Sequence, residues 1–249
     1  MKNKAQKVWE KINARFGQIA VLIDPEKLNE KQLTAIVEKA NFARVDYFFV
    51  GGSTVTQDQM LQTIRILRRK AKAPVVIFPG DHQQIVKGAD AILYLSLISG
   101  RNPEYLIGQH VLSAQAVFDV NAEIIPTGYI LIDGGTKSSV AYVSQTTPIP
   151  QQKSSIAVNT AIAGALQGKR LIYFDAGSGA KHTVNEKIIQ ETRSKLMDIP
   201  MIVGGGVRSS DDIERLSKGG ANVIVIGNHI EQDPDFLLDI YQYNKHREV

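Results

Sequence analysis

In the stretch Tyr173–Val184, YFDAGSGAKHTV, an acidic residue, two glycines around a serine and a lysine follow directly on a strand-like apolar run. Tyr173 and Asp175 alternate along what should be the end of that strand, so both side chains can project into one cavity mouth. A phenol and a carboxylate placed there suit substrate orientation or proton transfer. The glycines behind them admit positive φ and let a ligand approach the peptide N–H groups, which favours an anion as guest. The segment is not a nucleotide loop, because that motif needs Lys directly after its last glycine. Here Ala180 separates Gly179 from Lys181 and His182 follows; G-x-G-x-x-G is equally missing, so a dinucleotide fold is unsupported.

Two more glycine segments end apolar runs late in the chain, VGGGVRSS around Gly204 and Gly205, and IGN at Gly227 and Asn228. In barrel enzymes the loops after the seventh and eighth strands frequently hold a phosphate. Strand-end glycines are otherwise simply turns, and it is the pair of loops in those two places that points to an anion. A second chemistry is written near the N-terminus, where LIDPEK ends a run with Asp24 and FVGGST ends the next with Ser53 and Thr54. A carboxylate and a hydroxyl with open positions suit Mg²⁺, which completes its shell with water and phosphate oxygens. Zinc does not fit, since there is no cysteine and the five histidines show no i, i+4 pairing. Asp211, in DDIER, belongs to a helix first turn, where carboxylates favour the macrodipole. His82 reads as a loop histidine or an acid–base group. Lys27 and Lys181 are reasonable partners for a diphosphate. The tyrosines of LYLSLISGRNPEYLIG line a groove or pack core and subunit contacts.

Eight short runs would have to position these groups: QIAVLID, DYFFV, PVVIF, DAILYLSL, TGYILID, RLIYFD, MIVGG and NVIVIG. Several are apolar at consecutive positions, as in strands covered on both faces, and helical patterns separate them. Asn29, Thr56 and Ser209 or Ser210 stand as helix caps. The pattern implies α/β architecture, a (β/α)₈ TIM barrel, with the active site at the carboxyl ends of the strands. Between PVVIF and DAILYL there is room for only one to two helical turns, at about 3.6 residues per turn. The third helix should therefore be missing or vestigial. VGGSTVTQDQM and VGGGVRSSDDI share strand, glycine pair and capped helix, but the offset between them is that of reused turn chemistry, not of a repeat.

The 249 residues are close to the roughly 250 of such a barrel, so residues 1–249 are expected to form a single domain. The net charge of +4 is spread along the chain, which speaks for an anionic small molecule and against a nucleic-acid partner. The absence of cysteine fits a cytoplasmic location. MKNKAQKVWEKINARF lacks the apolar core of a secretory signal and reads as an opening helix with Val8, Ile12 and Phe16 on one face. No run suggests a membrane span, so any lipid contact would be peripheral.

Taken together, LIDPEK, FVGGST, YFDAGSGA, VGGGVRS and VIGN resemble the geranylgeranylglyceryl phosphate synthase family and its bacterial relatives, including heptaprenylglyceryl phosphate synthases. The resemblance runs from about Gly17 to about Tyr241. It implies a modified (β/α)₈ barrel that has lost its third helix. It also implies Mg²⁺-dependent transfer of a prenyl group from a polyprenyl diphosphate, geranylgeranyl first and heptaprenyl second, to the C3 hydroxyl of sn-glycerol 1-phosphate. By the family pattern Mg²⁺ would lie on Asp24 and Ser53. Glycerol phosphate would lie against Tyr173, Phe174, Asp175, Ala176, Gly177, Ser178, Gly179, Gly204, Gly205, Gly227 and Asn228. Asp175 and Tyr173 would serve catalysis, with the tail in a groove where the third helix would have been. Many members carry Glu where this chain has Asp175, a carboxylate shorter by one methylene. The family forms homo-oligomers, dimers and larger rings such as hexamers. The competing reading is a phosphate-binding barrel isomerase or lyase acting on a phosphorylated sugar-like substrate; a third is a non-catalytic barrel that senses a phosphorylated ligand.

Overall fold

Eight runs rich in Val, Ile, Phe and Tyr pair in parallel and in chain order, and the last closes onto the first, in a computed structural model that describes residues 7–247. The strands are β1 (Gln18–Ile23), β2 (Tyr47–Val50), β3 (Val75–Ile77), β4 (Ala91–Leu97), β5 (Glu123–Leu131), β6 (Leu171–Asp175), β7 (Met201–Gly204) and β8 (Val223–Ile226). Around them lie α1 (Lys7–Ala14), α2 (Glu30–Phe42), α3 (Gln57–Lys70), α4 (Gln109–Asp119), α5 (Ser139–Ser144) and α6 (Ser154–Leu166). The ring is completed by α7 (Glu186–Lys195), α8 (Ser210–Gly219), α9 (Asn228–Gln232) and α10 (Phe236–Arg247).

Strand alternation divides the core into two layers. Ala20, Phe49, Leu93, Ile125, Tyr173 and Val223 fill the barrel, while Ile19, Phe48, Ile92, Ile172, Phe174 and Ile224 pack against the helices. Asn29 and Thr56 each close a capping box, with Gln32 and Gln59, and fix where α2 and α3 begin. Ser209, not Ser210, caps α8 by accepting from the Asp212 amide. β5 starts earlier than TGYILID suggests and includes Pro126. Pro126 O accepts from Arg170 N, so the missing proline N–H would point to the same side, below the first residue of β6, and no ladder bond is lost.

The N-terminal end of the barrel is plugged by α1, whose Val8 and Ile12 join the interior cluster. Glu123, at the foot of β5, accepts from the amides of Val8 at 2.8 Å and Trp9 at 3.2 Å, which ties the first turn of α1 to the barrel. Phe16 departs from the expected face. The helix stops at Ala14, Gly17 turns the chain at φ +68°, and Phe16 lies exposed beneath the Arg193 guanidinium. The first six residues of the expected opening helix lie outside the described residues.

After β3 there is no α-helix, only a single 3₁₀ turn over His82–Gln84. Asp81 caps it by accepting from the Gln83 amide at 2.7 Å. The fully buried Gln84 amide group then donates to the carbonyls of Gly52 at 2.9 Å and Val55 at 3.0 Å. A buried side-chain amide, in place of a helix, pins this short segment to the loop after β2.

Candidate active site

At the carboxyl ends of the strands lies a cavity of about 460 Å³ into which both Asp24 and Asp175 open. This volume is within the usual range for small-molecule sites. Asp175 ends β6 pointing inward, where Oδ2 accepts from Tyr129 Oη at 2.5 Å and Oδ1 from the Gly177 amide at 2.7 Å. Burial pushes its carboxyl above the ordinary value, and those two donors pull it back only in part. The Tyr129 and Tyr173 hydroxyls are pushed well up by the same burial, with the Asp175 charge adding to it, so both stay protonated as donors. Tyr173 stacks on Phe78 with ring centroids 5.1 Å apart, and Tyr129 meets it edge-on at 5.4 Å.

Around this carboxylate the glycine-rich loops pack closely against one another. Gly205 has φ +85°, and a Cβ there would lie 2.8 Å from Gly177 N, so only glycine lets the loops after β6 and β7 approach this closely. Gly204 leaves room for Tyr173 in the same way, since its Cβ would meet the phenol oxygen at 2.7 Å. Gly177, Ser178, Gly179, Gly205, Gly227 and Asn228 all face the cavity. Phe174 and Ala176 do not; their side chains pack in the outer layer, so they can offer only backbone groups. Gly204 sits just behind the wall, its carbonyl accepting from Ala176 N at 2.9 Å. Arg208, which the sequence reading passed over, lines the cavity with Nη2 donating to Ala180 O at 2.8 Å, and puts a cation beside the glycine rim. Lys181 lies exposed away from the cavity, its amide donating to Gly134 O.

On the opposite rim Asp24 Oδ2 lies 3.2 Å from Lys27 Nζ, and Glu231 Oε2 stands at the same distance from that lysine. Burial alone would lower the Lys27 pKa, but Glu231 and Asp24 outweigh it and the ammonium is held in its charged form. Lys27 also donates to Asn228 Oδ1 at 2.8 Å, and the same oxygen accepts from Ser178 Oγ at 3.1 Å. A chain of polar contacts thus joins the acidic rim to the glycine rim. Thr54 is committed to Glu26 at 2.6 Å, and Ser53 lines the cavity beside it. Gly52 keeps the space beside the acid open, for a Cβ there would lie 2.9 Å from Asp24 Oδ1. Among the described residues no group of three or more His, Asp or Glu is arranged to hold a metal. A carboxylate, a hydroxyl and an open cradle still fit a hard cation that draws most of its shell from substrate oxygens.

From this rim the cavity continues over the bare stretch after β3, along a wall that includes Ile85, Tyr94, Tyr105 and His110. Tyr94 Oη is tied to His110 O at 2.9 Å, and the two rings meet edge-on. His82 is engaged by Gln109, with Nδ1 at 3.0 Å from Oε1, and belongs to this flank. Sequence reasoning missed Tyr129 and Phe78 as well as Arg208. The parity of β5 could have found the first, because Tyr129 sits in register with Tyr173.

A glycine-lined rim, a buried carboxylate and a groove beside the flank that lacks a barrel helix are the features of a (β/α)₈-barrel enzyme. The family model described as the PcrB family matches residues 12–244. The chain belongs to that family. It is 48% identical over 221 residues to a geranylgeranylglyceryl phosphate synthase of Zunongwangia profunda, covering 89% of this chain and 93% of the relative. A protein of the same name from Chitinophaga pinensis is 46% identical over 221 residues, 89% of this chain and 87% of that one. The fold matches a solved (S)-3-O-geranylgeranylglyceryl phosphate synthase from Thermoplasma acidophilum, in complex with its substrate sn-glycerol-1-phosphate. That match has a TM-score of 0.90 at 30% identity and covers 99% of both chains.

Proposed function

We propose that this protein joins a polyprenyl group, from its diphosphate, to the C3 hydroxyl of sn-glycerol 1-phosphate, forming an ether and releasing diphosphate. The observation that carries the reading is the junction of the glycine rim with the groove that replaces the third helix, both opening on Asp175. An isomerase or lyase of a phosphorylated sugar would need the rim but not the groove.

The glycine rim, with Gly177, Ser178, Gly179, Gly205 and Arg208, would grip the phosphate of glycerol phosphate and so fix where its hydroxyls lie. Asp175 would accept the proton of the attacking hydroxyl, its raised basicity suiting it to that task, while Tyr129 and Tyr173 hold it in place. Lys27 would meet the diphosphate and stabilise the charge that grows on it as the carbon–oxygen bond breaks. Mg²⁺, held by Asp24 and Ser53, would supply further Lewis-acid stabilisation of that leaving group. The names of the relatives favour a geranylgeranyl donor, with heptaprenyl as the second choice.

Ile107, Val111, Leu112 and Phe118, between 59% and 70% exposed, form an apolar seam on α4 and the turn before it. A second copy of the chain would cover it, in a dimer or a hexamer. Among the described residues no helix is long and apolar enough to cross a membrane. With one water-soluble and one lipid substrate, we place the enzyme in the cytoplasm with peripheral contact to the membrane. Incubating the protein with glycerol 1-phosphate and a ladder of prenyl diphosphates, with and without Mg²⁺, tests the whole reading. Ether product at one preferred length is expected; no product at any length would overturn it.

A further inference from the structure

The geometry points to Phe78 as the residue whose ring faces and stabilises the allylic carbon while it carries positive charge between leaving and attacking oxygens. Phe78 follows β3, at the start of the segment that lacks a helix, and lines the cavity. Its backbone is pressed against the diphosphate side, since a Cβ on Gly51 would fall on the Phe78 carbonyl. Gly80, two residues on, packs the same way, and its Cβ would lie 2.5 Å from Gly52 O and 3.1 Å from the Ser53 Cα. On its other side the ring meets the acceptor half of the site. It stacks on Tyr173 at 5.1 Å and meets Tyr129, the partner of Asp175, edge-on at 5.8 Å.

Phe78 therefore bridges the Gly51–Ser53 loop and the carboxylate, which is where the transferred carbon must pass. Tyr129 and Tyr173 are almost wholly buried, at 4% and 1% exposure, whereas Phe78 is only partly covered. Of these three cavity-lining aromatic residues it is the one least covered by protein. A cation over an aromatic face is attracted by the negative quadrupole of the ring. In the step itself the C1–O bond of the prenyl diphosphate breaks with both electrons leaving on diphosphate. The hydroxyl oxygen of glycerol phosphate then forms the new C1–O bond, and its proton passes to Asp175. Charge at C1 and C3 of the allyl unit is largest midway, so a ring there stabilises the transition state more than the ground state.

This inference rests on the prenyl-transfer reading above and is tested apart from it. Position 78 is filled with Phe and its mono-, di- and trifluoro analogues, which keep the ring shape and progressively weaken its quadrupole; Phe78→Leu is measured beside them. Expected is a stepwise fall in kcat with each fluorine, reaching roughly 10-fold for the trifluoro ring, with the KM for glycerol phosphate unchanged. Melting temperatures across the series establish that folding is intact, and the monofluoro step is read even where the trifluoro protein folds poorly. A flat series in an enzyme that does transfer prenyl groups, or a change confined to KM, would overturn the role of Phe78. Absence of transfer by the wild type would instead overturn the proposed reaction, and this inference with it.

Discussion

Replacing Tyr129 with Phe removes one oxygen atom from a filled barrel interior and nothing else. The lost bond, 2.5 Å from Tyr129 Oη to Asp175 Oδ2, is one of two that hold a carboxylate raised by burial partly in check. A hydrogen bond to a charged group is worth about 1.5–3 kcal/mol, and at about 1.4 kcal/mol per decade kcat/KM should fall roughly 10- to 150-fold near neutrality. The direction with pH follows from the same bond. Asp175 must be ionised to take a proton, and without the phenol its pKa rises further, so the acid limb of kcat/KM against pH moves to higher pH. The deficit should be largest in acid and shrink as pH rises. Steady-state kinetics with glycerol phosphate varied, measured across pH, read both effects. A Tyr129→Phe enzyme within twofold of wild type and with an unmoved acid limb would refute the role given to Asp175 as proton acceptor.

Asp175→Asn should abolish turnover, and it leaves one of the two donors, Tyr129 Oη or Gly177 N, without an acceptor. A carboxyl with a raised folded pKa favours the native state below its unfolded value and loses that contribution as pH rises through the folded one, so the melting temperature of the variant relative to wild type should fall as pH is lowered. Gly205→Ala places a Cβ 2.8 Å from Gly177 N at φ +85°; the left-handed conformation alone should cost about 1–2 kcal/mol and the backbone collision adds to it, with a raised KM for glycerol phosphate, visible in melts and kinetics together. Lys27→Met leaves Asp24 and Glu231 without their shared cation and should raise the KM for the prenyl diphosphate roughly 10-fold, with a smaller rise in the glycerol phosphate KM passed through Asn228 and Ser178. Glu123→Ala removes the acceptor for the first amides of α1 and should cost about 1–2 kcal/mol in denaturant unfolding while sparing kcat.

The barrel was legible because its strands are covered on both faces and so read as unbroken apolar runs, and because caps such as Asn29 and Thr56 act within a few residues of the helices they start. The missing helix was legible as a simple shortage of residues between β3 and β4. What the chain hides are relations across the barrel. Nothing local to Tyr129 says that its hydroxyl meets Asp175, 46 residues away, nor that Lys27 reaches Asn228, 201 residues on. Phe16 misled because the periodicity of an amphipathic helix continues in sequence past the glycine that ends it in space. Phe174 and Ala176 illustrate a different limit: a contiguous motif contains residues of both parities, and only alternate ones face the ligand.

The gap after β3 has a consequence for the energetics of the empty protein. Every other flank of the cylinder carries a helix, whereas this one has a single short turn, and in the proposed reaction a hydrocarbon would lie beside it. A tail lying there would take over the work of the absent helix, so the loaded enzyme should be stiffer and harder to melt than the bare one, by more for each isoprene unit the trough can shelter. Lipid would then be scaffold as well as reactant, and release of product would reopen a seam in the fold.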